Sequence, residues 1–240
     1  KILKKILGIL NYKLIDKNYF KNSRIISDAS ILNEENLIEN LSKYKIKQLI
    51  QIGANDGIRF DYLNKFIKKN KINAILVEPI KNNFDALRKN YKKFKFVKLE
   101  NSAISINNEI SYLYKVNERF LNYYGKHVPG ITSFNKNHLL KHGVKKKHII
   151  KEKVNSISIK NLIKKYGLKK LDLLYIDTEG YDGKIVLDFL KTKSLHPIII
   201  FEFIHIENRI FKNVIKKLLL SNYKFFPIKE NLICLPKNNF

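Results

Sequence analysis

A chain of 240 residues, 45% hydrophobic and 12% aromatic, can bury a full core, and this composition excludes a disordered polymer. The formal charge of +26 invites a nucleic-acid reading, but 42 of the 47 basic residues are lysine, arginine standing only at Arg24, Arg59, Arg88, Arg119 and Arg209. Nucleic-acid surfaces favour arginine's planar fork, so the charge reads as solvated lysine faces, with attraction of an anionic substrate or membrane surface as its other use.

The single cysteine, Cys234, cannot form an internal disulfide and reads as a buried thiol in a reducing, cytoplasmic compartment. No apolar run is long enough to span a bilayer. Residues 1–30 read as a basic amphipathic extension to a domain over 31–240. Within it, residues 1–10 (KILKKILGIL) suit a helix lying on an anionic membrane surface or docked on the protein.

A helix is expected over 33–43, then an apolar strand over 46–52 running into Gly53. Helix 61–70, strand 73–77, helix 82–92 and strand 94–99 follow, with Phe84, Leu87 and Tyr91 on one helical face. This alternation predicts right-handed parallel crossovers. It resumes with strand 171–176, helix 184–190, the nearly all-apolar strand 197–203 and helix 208–220. Residues 223–227 and 232–235 complete the chain as a hairpin. The stretch 105–153 breaks the rhythm and reads as an insertion over the sheet's ligand edge, with Tyr123, Tyr124, His127, Thr132 and Ser133 as acceptor-binding candidates.

Chemistry concentrates at strand ends. Gly53, Ala54, Asn55, Asp56 and Gly57 form a glycine turn directly after the first strand, where backbone can approach a ligand closely. Glu78 ends the next strand, followed by Pro79, at a spacing that lets a carboxylate accept hydrogen bonds from a ribose diol. A dinucleotide site wants glycine where Asn55 stands, and Asp56 would repel a pyrophosphate but suit an ammonium or sulfonium. Asp177, Glu179 and Glu202, with His205 beyond, place further ionisable groups at strand ends. Such positions are poor structural choices unless they bind something.

Taken together, IQIGANDG at 50–57, VEP at 77–79, SAIS at 102–105, the run 156–190 and HPIIIFEFIH at 196–205 resemble the FkbM family of S-adenosylmethionine-dependent methyltransferases. The resemblance covers roughly residues 45–205. It implies a Rossmann-like class I α/β fold: a mostly parallel seven-stranded sheet, helices on both faces and a C-terminal antiparallel hairpin. It also implies O-methylation of a hydroxyl on a sugar, glycan or related metabolite. Gly53, Ala54, Asn55 and Gly57 would then surround the donor's methionine part, Asp56 its ammonium, Glu78 the ribose, and Ser102 and Ala103 the adenine. Asp177, Glu179, Glu202 and His205 would orient or deprotonate the acceptor. Two departures stand out: Asp182 replaces a glutamate, and His205 falls one residue late. Oxygen ligands at Asp177, Glu179 and Glu202 suit Mg²⁺, but the spacing does not demand a metal and none is assigned. The competing readings are a nucleic-acid methyltransferase, a nicotinamide-dependent oxidoreductase and an inert donor-binding domain at a membrane.

Overall fold

The computed structural model describes residues 41, 44–59, 61–106, 110–125, 128–192 and 194–237. The N-terminal extension, nearly all of the helix expected over 33–43, and His127 lie outside the described residues. Among the described residues no helix is long and apolar enough to cross a membrane.

Strands β1 (Gln48–Ile52), β2 (Asn73–Val77) and β3 (Val97–Glu100) alternate with helices α1 (Leu63–Asn70) and α2 (Lys81–Tyr91). Next come β4 (Ala103–Ile104), β5 (Ser111–Val116), β6 (Thr132–Ser133), α3 (Lys136–Lys141), β7 (Ile149–Val154), β8 (Ser156–Ile157) and α4 (Ile159–Lys165). The alternation then returns with β9 (Leu173–Ile176), α5 (Asp182–Phe189), β10 (Ile198–Glu202) and α6 (Asn208–Leu220), and ends in β11 (Tyr223–Ile228) and β12 (Asn231–Pro236). Seven strands form one sheet in the order β11-β12-β10-β9-β1-β2-β3. Neighbours are parallel except β12, which is antiparallel to both β10 and β11. The alternation predicts these parallel crossovers, and the whole is the class I methyltransferase fold that the family resemblance implies.

The central strands are largely apolar and buried because both faces of the sheet are covered. Leu49, Leu76, Leu173 and Ile200 point into one core with Leu63, Phe66 and Ile67 of α1 and Leu87 and Tyr91 of α2. Ile50, Ile75, Leu174 and Ile199 point into the other, with α4, α5 and α6. Each fully buried aliphatic side chain contributes about 1.5–3 kcal/mol of burial energy, so this alternation fixes both register and helix placement. Cys234 is buried in the second core, and burial pushes its thiol pKa up.

The interrupting stretch is a small structure of its own. A three-stranded antiparallel sheet in the order β6-β5-β7 packs with α3 around Val116, Val128, Ile131, Leu139 and Val144. In the sequence β7 is hidden, because its polar residues Lys151, Glu152 and Lys153 mask its alternation.

Candidate active site

Register builds the site. Ile52 lies level with Val77 and with Ile176, and Ile176 with Phe201. The next residues in each strand, Gly53, Glu78, Asp177 and Glu202, therefore emerge side by side at one sheet edge. The chain leaves β1 for β2 on one side and β9 lies on the other, so this is the topological switch point, where open α/β sheets bind ligands. A cavity of about 610 Å³ opens there. Of the residues expected from sequence, Gly53, Ala54, Asn55, Glu78, Pro79, Ser102, Ala103, Asp177, Glu179, Glu202 and His205 line it.

On the β1–β2 side, Gly53 takes φ +86°, and a Cβ there would stand 1.8 Å from the Asp177 carbonyl oxygen. Only glycine fits where the two chains leave the sheet this close together. Asn55 donates its N–H to Glu78 Oε2 (3.0 Å), and Ile80 donates to Oε1 (2.9 Å). Glu78 is 5% exposed. Burial outweighs these hydrogen bonds and pushes its pKa up to about 7.

Two residues of the turn do not line the cavity. Asp56 was expected to meet the donor's ammonium, but Oδ1 accepts the N–H groups of Ile58 and Arg59, and Oδ2 pairs with Arg59 Nε at 2.6 Å. Burial raises the Asp56 pKa, yet the Arg59 and Ile58 hydrogen bonds prevail and hold it below its ordinary value. Asp56 thus closes its own loop. Gly57 was expected beside the methionine part of the donor. A Cβ there would instead meet Leu87 and Tyr91 at 2.5 and 2.6 Å, so this glycine admits α2.

Glu100 ends β3 as Glu78 ends β2, a parallel the sequence reading missed. It accepts hydrogen bonds from the Ser102 hydroxyl (2.8 Å), Lys165 Nζ (2.7 Å) and the Tyr166 hydroxyl (2.9 Å). Burial raises its pKa, but these three partners outweigh it and hold the carboxyl below its usual value. The Ser102 side chain is thereby fixed beside Ala103.

On the β9–β10 side, Glu179 sits at φ +54°, a conformation costing a non-glycine residue about 1–2 kcal/mol. Asp182, fully buried, stabilises the turn by accepting from Thr178 N, Thr178 Oγ1 and Gly180 N. Burial pushes the Asp182 pKa up to about 6. Glu179 does not cap a helix; its Oε2 lies 2.7 Å from His138 Nε2, and its carbonyl accepts from the Ser133 hydroxyl. Burial, then the charges of Asp177, Glu179, Asp182 and Glu230, push the Glu202 pKa up to about 9. His205 Nε2 lies 3.6 Å from Glu202 Oε1. Burial and then His138 lower its pKa.

The insertion covers this edge through Gly130, Ile131, Thr132, Phe134 and His142. Of its acceptor-binding candidates, Thr132 lines the cavity, Ser133 supports Glu179, and Tyr124 instead pairs with His148 Nδ1 (2.6 Å). Tyr123 is 74% exposed and is not part of the lining. The metal-capable atoms do not converge on Asp177, Glu179 and Glu202. Of these three only Glu179 joins a cluster, with His138, His142 and His205. His138 and His142 were missed, although their four-residue spacing is a readable signal.

Among the described residues, the buried side-chain atoms without a hydrogen-bond partner include Gln51 Oε1, Asn55 Oδ1, Asp61 Oδ2 and Glu202 Oε2. All four residues line the cavity. Acceptors without donors in an acid-walled pocket fit a ligand rich in N–H, O–H and positive charge, as S-adenosylmethionine is. They do not fit a pyrophosphate.

A comparison with curated proteins finds no match. Among solved structures the chain is similar to a methyltransferase FkbM from Methylobacillus flagellatus KT, at 12% identity and a TM-score of 0.46, covering 79% of this chain but only 43% of that one. It is also similar to SAH-bound Podospora anserina methyltransferase PaMTH1, at 12% identity and a TM-score of 0.47, covering 85% and 77% of the two chains. A ribosomal protein L11 methylase from Lactobacillus delbrueckii subsp. bulgaricus shows 10% identity and a TM-score of 0.41, covering 83% and 74%. The sequence profile of the methyltransferase FkbM domain matches residues 51–225, which takes in the glycine turn and Glu78, Asp177, Glu179 and Glu202 of the cavity, and the chain belongs to the FkbM family of S-adenosylmethionine-dependent methyltransferases.

Proposed function

We propose that the chain transfers a methyl group to a hydroxyl oxygen of a sugar, glycan or related metabolite. The observation carrying this reading is the set of partnerless acceptors and raised carboxyls around one cavity at the carboxyl ends of β1, β2, β9 and β10. Bound S-adenosylmethionine supplies a methyl carbon made electrophilic by its sulfonium. Glu78 is placed to hold the ribose diol, Gly53 to Asn55 the methionine part, and Ser102 and Ala103 the adenine. The insertion excludes water and positions the acceptor. Asp177 and His205 are the candidates to receive the hydroxyl proton, and a lowered His205 pKa keeps that imidazole neutral near pH 7.

The orphaned acceptors of the cavity disfavour both a nicotinamide dinucleotide and a nucleic-acid strand, whose phosphate oxygens also accept and bring no donors. Calorimetry with S-adenosylmethionine and its demethylated product tests donor binding, and methyl incorporation into nucleotide-sugars and glycans tests the acceptor. Replacing both Asp177→Asn and His205→Ala should lower transfer about 100-fold or more while donor binding persists. A loss below about tenfold in the double variant defeats the assignment of the base.

A further inference from the structure

Three imidazoles and a carboxylate converge where the insertion meets the sheet edge. His138 lies in α3 and His142 caps its C-terminus, and their four-residue spacing sets both on one helical face. Glu179 comes from the turn after β9, and His205 from the segment after β10. One ligand atom from each lies within 4.8 Å of the other three. The ring centroids are 4.6 Å apart for His138 and His142, 4.5 Å for His138 and His205, and 5.4 Å for His142 and His205. A tetrahedron with metal–ligand bonds near 2.0–2.1 Å has edges of about 3.4 Å, so closure asks roughly an ångström of side-chain movement. Glu179 is held toward the cluster by its left-handed backbone and by the Ser133 hydroxyl on its carbonyl. Strained backbone of this kind persists where the surroundings over-determine it.

We propose that His138, His142, Glu179 and His205 bind a divalent transition-metal cation of the zinc and cobalt class. Three nitrogens and one carboxylate oxygen suit that class, whereas Mg²⁺ and Ca²⁺ take oxygen ligands. His142, Glu179 and His205 line the cavity, so the cation faces the space assigned to the acceptor. That placement, though not the binding, rests on the methyl-transfer reading. There the cation takes the acceptor hydroxyl as a fifth ligand and eases loss of its proton. His205 then serves as a ligand and the proton passes to Asp177. The O–H electrons remain on oxygen, which bonds the methyl carbon while sulfur keeps the pair of the broken C–S bond.

The test takes the full chain without a histidine tag, strips it with chelator and titrates it with Co²⁺. One equivalent should bind with the visible d–d absorption of a low-coordinate site and no thiolate charge-transfer band, since Cys234 is buried elsewhere. Zn²⁺ should displace it and excess Mg²⁺ should not. The variant H138A/H142A should bind Co²⁺ at least ~100-fold more weakly, and H196A, altering an exposed histidine outside the cluster, should bind it normally. If circular dichroism shows H138A/H142A unfolded, Glu179→Gln decides, with an expected loss of about tenfold or more. No d–d spectrum, displacement by Mg²⁺, or unchanged affinity in the folded or deciding variant overturns the site. A chain that binds S-adenosylmethionine but not Co²⁺ defeats this inference alone. One that binds Co²⁺ but not S-adenosylmethionine supports the site and defeats the methyl-transfer reading.

Discussion

Gly53 shows how a residue type readable in the sequence can serve a second purpose there. It was read as permitting close approach of a ligand, and it does line the cavity. Its tightest neighbour, however, is the Asp177 backbone, 1.8 Å from where a Cβ would stand. No rotamer change relieves a clash between a Cβ and main chain. Gly53→Ala must therefore push β1 and β9 apart while also adopting a left-handed φ. A cost of about 3–5 kcal/mol is expected, lowering Tm by roughly 10 °C in a chain of this size. Thermal melting checks this, and a shift under about 2 °C would refute the close approach. Asp56 teaches the converse. Residue type marked it as a cavity carboxylate, but its direction depends on Arg59 three residues later, which a motif reading does not weigh.

Among elements, the turn between β9 and α5 joins a left-handed non-glycine residue, Glu179, to the lining of the cavity. Its shape depends on Asp182, whose carboxylate takes three donors of the turn. Asp182→Ala leaves these groups without their acceptor in a buried place, at a cost of about 3 kcal/mol. Amide hydrogen exchange at residues 178–180 should accelerate, and Tm should fall. Unchanged exchange there would show that the turn stands without Asp182. The insertion is the element least legible beforehand. Its place over the ligand edge follows from where it interrupts the alternation, but its antiparallel sheet does not, because β7 alternates weakly and pairs with β5 across a long loop.

For the whole molecule, the raised carboxyls make stability depend on pH. Glu202 ionises near 4.5 when unfolded but only at about 9 when folded, so across that range the native state holds the extra proton. Stability then falls as pH rises. Glu78, raised to about 7, adds to this below neutrality, while His205, lowered from 6.5, opposes it there. Between pH 6.5 and 8.5 the Glu202 effect dominates. The metal-free protein should lose Tm across that interval, and Glu202→Gln should flatten the loss, gaining at least ~2 °C at pH 8. Parallel profiles for the two proteins would count against the raised pKa. The sequence by itself determined the alternation of strands and helices, the doubly wound sheet, the strand-end carboxylates and the family, because periodicity, turn glycines and motif order are local properties of a chain. Only the tertiary structure decided which strand ends stand level, that Asp56 turns away while Glu78 turns in, and that His138 and His142 meet Glu179 and His205. Those outcomes depend on pairing between segments far apart in the chain, and no local pattern records which distant side chains the packing of two cores brings together.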